Sequence, residues 1–168
     1  MNMVENLPAL QVLVPLLSAP IVVLLRPRGL AWAATTAASL MAFAIAVMLT
    51  LGITSGENYA YEMGGWPAPY GIALGIDAFS ALLLLVITGA SSMALLGSRV
   101  SLDTQIETHR QPLFYTAWLL ALAGLIGIVV TADAFNVFVF MEISSLASYV
   151  LIAGGPNRRA LQIGRAHV

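Results

Sequence analysis

The chain has 168 residues, 60% of them hydrophobic and only 9% charged, and its mean hydropathy is +0.91. A soluble domain is about half apolar and about a quarter charged, so this composition is that of an integral membrane protein. The formal net charge is −1, and no basic arm or aromatic–basic interleaving points to nucleic acid. There is no cysteine, which excludes disulfides, thiolate metal sites and Cys nucleophiles. His109 and His167 are too isolated for a His-based metal site, and no cofactor is expected.

Spanning the hydrocarbon core takes roughly 20 mostly apolar residues as helix, and five blocks meet or approach that length. The N-terminus "MNMVENLPAL" lacks a basic region before its apolar run, which argues against a cleaved signal peptide. The first predicted span therefore stays in the membrane, at about 8–25, and its Pro15 and Pro20 predict a bend. A second, Ala-rich span covers about 30–53, with small side chains suited to close helix packing. The segment "TSGENYAYEMGGWPAPYG" follows. Its Tyr59, Tyr61, Trp66 and Tyr70 suit the membrane interface, and Gly-Gly and Pro-Ala-Pro read as turn and extended chain. The third span is predicted at about 72–97, the fourth at about 112–131 and the fifth at about 134–153. Only "TAD" separates the last two, so they form an antiparallel hairpin. The runs are continuous rather than alternating, so there is no β-barrel pattern. The expected fold is all-α, a polytopic transmembrane helix bundle.

All seven basic residues are arginines: Arg26, Arg28, Arg99, Arg110, Arg158, Arg159 and Arg165. With five spans they fall on one side, which the positive-inside rule makes cytoplasmic, with the N-terminus outside. The tail "QIGRAHV" back-translates through the start of a common sequencing adapter. Residues 162–168 are accordingly read as a non-native read-through tail on a transmembrane region of 1–161.

Three acids lie in or beside the spans. Asp77 and Asp133 share an Asp-Ala-Phe context where helices begin. They read as helix caps first, and as candidates to line an outer ion exit second. Glu142, in "NVFVFMEISSLASYVL", lies nine residues after Asp133, about 13 Å down a helix and near the middle of the ~30 Å core. An acid there costs about 3 kcal/mol on insertion scales, so it is expected to face the bundle interior and to have a partner. Phe138, Val139, Ser145, Leu146 and Tyr149 share its face at helical spacing, and the Ser145 and Tyr149 hydroxyls are candidates to bond it or to order water. Its role is either proton or cation handling or interhelical glue; intramembrane acids favour the former. The chain has no lysine, so a cationic partner must come from elsewhere. Met41, Met48, Met93 and Met141 read as lipid-facing or packing residues, His109 as solvated, and Gly124 and Gly127 as close-packing positions.

"GGWPAPYGIALGIDAFSALLLL" and "FYTAWLLALAGLIGIVVTADAFNVFVFMEISSLASYVLIAGG" resemble the D-subunit family of multisubunit (Mrp-type) monovalent cation/proton antiporters, relatives of the antiporter-like membrane subunits of respiratory complex I. The resemblance runs from about the first span to Leu161, with "NRRAL" similar to the start of the family's sixth helix. It implies an N-terminal piece of a fold of about fourteen helices in a bacterial or archaeal cytoplasmic membrane. It also implies that Glu142 is a central proton-path residue paired with a lysine on a later helix. The function implied is a secondary transporter subunit, not an enzyme, that exchanges protons for a monovalent cation, with sodium preferred. Its partners would be other membrane subunits. Two alternatives stand beside it: a proton-pumping subunit of complex I or of a membrane-bound hydrogenase, and a structural assembly subunit.

Overall fold

The computed structural model of the protein describes residues 6–25, 29–57, 59–62 and 71–154. Arg26, Arg28, Trp66, Tyr70, Arg158, Arg159, Arg165, His167 and the 162–168 tail lie outside the described residues. In chain order the elements are α1 (Leu7–Leu24), α2 (Leu30–Thr54), β1 (Tyr59–Glu62), β2 (Ala73–Ile76), α3 (Ala78–Gln105), α4 (Gln111–Val130) and α5 (Ala134–Ala153). Each helix is long and apolar enough to cross a membrane, as the uninterrupted apolar runs require.

α1 continues through Pro15 and Pro20, so neither proline ends it. Gly29, at φ +81°, takes the left-handed conformation that turns the chain into α2 at little cost. The connections alternate in direction, and three contacts fix which ends meet. Trp32 Nε1 on α2 donates to the Leu95 carbonyl of α3 at 3.0 Å. The Arg99 guanidinium sits 4.2 Å from the centre of the Trp32 ring, a cation–π contact. Thr116 Oγ1 on α4 donates to the Ala19 carbonyl of α1 at 3.2 Å. Thus the end of α1, the start of α2, the end of α3 and the start of α4 share one end of the bundle, and Arg99 and Arg110 lie there.

The opposite end carries a feature absent from the all-α expectation. β1 and β2 pair antiparallel, Tyr59 opposite Ile76 and Tyr61 opposite Leu74. Residues 73–76, assigned in sequence to the third span, are therefore strand, and α3 begins at Ala78 and runs on to Gln105. Leu74 and Ile76 are buried while Ala73 and Gly75 are half-buried, the period-two alternation of a strand laid over a core. The hairpin also reaches the α4–α5 link, where the Ala132 amide donates to the Ala73 carbonyl at 2.9 Å.

One buried cluster, with Val12, Ala42, Ala46, Leu49, Leu84, Leu122 and Ile126, fills the hairpin half of the α1–α4 bundle. A second, with Ala19, Val22, Ala31, Ala38, Leu95 and Leu119, fills the arginine half. α5 joins through α4, and the glycines read as close-packing positions are the reason. A Cβ on Gly124 would lie 2.7 Å from the Phe140 carbonyl oxygen and 2.8 Å from the Ser144 nitrogen, and one on Gly127 would collide with the Phe140 ring. Small residues at such a crossing let two membrane helices approach backbone to backbone. Gly97 has open space around its Cβ position. Gly124→Val should thus destabilise the protein by about 1–3 kcal/mol, seen as a lower melting temperature in detergent, with Gly97→Ala near wild type.

Candidate functional site

α5 places its side chains by its packing against α4. Asn136, Ser144 and Ala147 are buried and Phe140 is half-buried, at positions that recur on a single helical face. Glu142 follows Phe140 by two residues, about 200° around the helix at 100° per residue, and it is exposed. Its neighbours on that side are exposed too: Phe135 at 72%, Phe138 at 66% and Tyr149 at 63%.

Glu142 thus faces away from the α1–α4 bundle, so any partner lies beyond the described helices. Among the described residues Glu142 makes no hydrogen bond or ion pair. Ser145 does not reach it either, because its hydroxyl donates to the Met141 carbonyl at 2.8 Å, the back-bond that Ser and Thr often make inside helices. The physical reason is local. α5 spends its small-residue and polar contact face on the α4 glycines, and the opposite face is left outward. A carboxylate at that depth is too costly for plain lipid, so this face needs protein or water against it.

Asp77 and Asp133 do what their position before a helix suggests. Asp77 Oδ1 accepts from the Ser80 amide at 2.7 Å. Asp133 Oδ1 accepts from the Phe135 amide at 3.1 Å and Oδ2 from Asn136 Nδ2 at 2.7 Å. Both are N-caps that satisfy orphan donors of the first turn. The Ser80 amide holds the Asp77 carboxyl below its ordinary range, since hydrogen bonds to a carboxylate favour the charged form. At the top of α2, Tyr59 OH donates to Glu57 Oε2 at 2.5 Å, which pushes the Tyr59 hydroxyl up. His109 is exposed 3.5 Å from Glu107, and Met41, Met48, Met93 and Met141 are exposed, as read from sequence. Among the described residues no group of three or more His, Asp or Glu could hold a metal ion.

A second polar feature lies among α2, α3 and α4. Ser39 Oγ on α2 donates to Ser91 Oγ on α3 at 3.0 Å and lies 3.1 Å from Ser92 Oγ. Trp118 Nε1 on α4 donates to Ser91 Oγ at 2.9 Å, and Ser92 Oγ donates to the Thr88 carbonyl at 2.8 Å. Three helices are tied together by neutral groups in the bundle core. The available signal was the pairing of isolated polar residues, Ser39 with Ser91-Ser92, at matching depth in neighbouring apolar spans.

No protein-family profile matches the chain. Individual proteins do. The N subunit of the NADH-quinone oxidoreductase of Desulforudis audaxviator is 40% identical over 164 residues, covering 93% of this chain and 32% of the relative. The D subunit of a Na(+)/H(+) antiporter of Bacillus subtilis is 32% identical over 159 residues, covering 94% and 32%. The chain is a homologue of the antiporter-like membrane subunits. Among solved structures, a chain of an archaeal membrane-bound sulfane sulfur reductase superposes with a TM-score of 0.86 at 30% identity, covering 96% of this chain and 33% of that one. A chain of the Mrp complex of Dietzia sp. DQ12-45-1b superposes with 0.83 at 25% identity, covering 99% and 31%. The chain thus spans about a third of the length of the relatives it matches. It is an integral membrane protein of the antiporter-like helical fold.

Because the folded Asp77 carboxyl lies below its ordinary value, its cap stabilises fully above the unfolded value of about 4 and is lost as pH falls through the folded one. In melts recorded from pH 6 down to pH 3, wild type should therefore lose more stability than Asp77→Asn, which keeps a capping oxygen that does not titrate.

Proposed function

We propose that the chain forms part of a membrane subunit exchanging protons for a monovalent cation, with sodium the preferred ion. Glu142 is the proton-transfer residue, Ser145 and Tyr149 are supporting residues on or beside its face, and Asp133 and Asp77 are outer-side candidates. The observation that carries this reading is the unpartnered Glu142 at mid-span on the free face of α5. Dry surroundings favour a protonated carboxyl, whereas water or a nearby cation favours the ionised form. A carboxyl that alternates between such surroundings takes up and releases a proton. The chain supplies no lysine, so the cation that faces Glu142 comes from further helices or from partner membrane subunits. The likeness to the antiporter D subunit of Bacillus subtilis and to the Mrp complex supports this reading.

A second reading rests on the NADH-quinone oxidoreductase relative and the sulfane sulfur reductase chain. Here the same carboxyl serves a redox-driven proton pump, and the driving reaction lies in a partner. Neighbouring genes separate the two: small antiporter subunits for the first, quinone- or hydrogen-reacting subunits for the second.

In the full-length subunit assembled with its partners, Glu142→Gln should slow proton-coupled cation exchange in inverted vesicles at least about tenfold, a loss of about 1.4 kcal/mol in barrier terms. Exchange at the wild-type rate by an intact complex would overturn the assignment and favour a structural role. The proposed topology places the Arg99–Arg110 end in the cytoplasm. The absence of cysteine makes it directly testable. A membrane-impermeant maleimide added to intact cells should label Ser55→Cys, and should label Gln105→Cys only after permeabilisation; the reverse pattern would invert the topology.

A further inference from the structure

Four side chains inside the α1–α4 bundle carry buried polar atoms with no hydrogen-bond partner among the described residues. They are Gln11 through both Nε2 and Oε1, Thr35 and Thr36 through Oγ1, and Ser98 through Oγ. Gln11 and Thr35 are fully buried and Thr36 is 5% exposed. A buried amide or hydroxyl left unpaired is costly, and such groups in folded proteins are nearly always satisfied.

Their placement divides them into two levels on either side of the Ser39–Ser91–Ser92 network. Gln11 lies on α1 in the half of the bundle capped by the hairpin, on the buried row with Pro8 and Pro15. Pro15 has no N–H, so it cannot supply the bond that the Gln11 carbonyl would take in a regular helix. One residue therefore presents a free donor and acceptor on its side chain and a carbonyl lacking its usual partner. Thr36 lies in the other half, on the α2 row between Trp32 and Ser39, whose hydrogen bonds to Leu95 and Ser91 hold α2 against α3 on either side of it. Ser98 follows Leu95 by one turn on α3. Thr35 lies on the adjoining row with Ala31 and Ala38, which pack against Ala19 and Val22 of α1 and Leu119 of α4.

We propose that the α1–α4 bundle binds ordered internal water at both levels, at Gln11 on one and at Thr35, Thr36 and Ser98 on the other. The chemistry selects water. Gln11 needs a donor for Oε1 and an acceptor for Nε2; an ion satisfies only one sign of group, whereas water serves both and bridges buried polar groups in this way. None of the four residues is charged, and the burial of Gln11 and Thr35 shuts out lipid head groups. These sites make the bundle a hydrated interior, separated from the Glu142 face by α4 and by the body of α5. They stand whether or not Glu142 carries protons.

The test is a map of the full-length subunit in its complex, at a resolution that shows bound solvent elsewhere in the same assembly. Discrete solvent density is expected within hydrogen-bond distance of Gln11 Oε1 or Nε2 and of the Thr35 or Thr36 hydroxyl. Absence of density at either level overturns the proposal. A second measurement needs no map. If water is held, Gln11→Met and Thr36→Val lose its hydrogen bonds and melt below wild type. If the core is dry, the same changes remove unpaired polar atoms, and melting temperatures at or above wild type count against the proposal.

Discussion

The approach of α5 to α4 across Gly124 and Gly127 sets everything that can be said about Glu142. The Phe140 carbonyl and the Ser144 backbone occupy the space that any larger α4 residue would need, so the rotation of α5 about its own axis is fixed by backbone contact. Side-chain adjustment cannot relieve such a contact, and close-packed interiors resist the shift. Once Phe140 and Ser144 face α4, helical geometry leaves Glu142 no direction but outward. The position of the acid is thus decided by two glycines on a different helix.

Much of the architecture was legible because a bilayer demands long apolar runs. The five spans, the tight α4–α5 turn and the Asp-Ala-Phe caps follow from length, composition and polar punctuation. The β1–β2 hairpin was not legible. Ile72 to Ile76 is as apolar as the helix that follows, and hydropathy alone cannot distinguish a short buried strand from the first turn of a span. Nor was the orientation of Glu142. The residues around α5 are apolar on nearly every side, so no polar stripe marks which face meets protein. Gln11 was passed over for a related reason: a single amide among prolines and leucines breaks no period, and only its burial makes it informative.

The structure also separates two jobs that sequence left together. Interhelical glue is already supplied by neutral groups, Ser39 with Ser91 and Ser92, Trp118 with Ser91, and Thr116 with the Ala19 carbonyl. Such bonds join helices without placing charge in the hydrocarbon zone. Glu142 takes no part in them and bonds nothing among the described residues. An acid retained for adhesion alone would be a costly substitute for a serine, and its face of α5 contacts no other described helix. That asymmetry is the physical ground for preferring proton handling over glue.

The three acids can be sorted by what their oxygens do. Asp77 and Asp133 spend theirs on first-turn donors at the ends of helices, where charge meets water and the partial positive charge of a helix N-terminus. Their Asp-Ala-Phe likeness is the likeness of two caps. Asp133 nonetheless bears on Glu142, because it fixes where α5 starts. With the first turn pinned at Phe135 and Asn136, nine residues of helix set the depth of the carboxyl at about 13 Å. A start displaced by one residue would change that depth by only about 1.5 Å but would turn the side chain by about 100°, toward the α4 contact or along the lipid boundary. Cap and glycine crossing together therefore hold one carboxyl at one depth and one bearing, as the proposed transfer of a proton to an external partner requires.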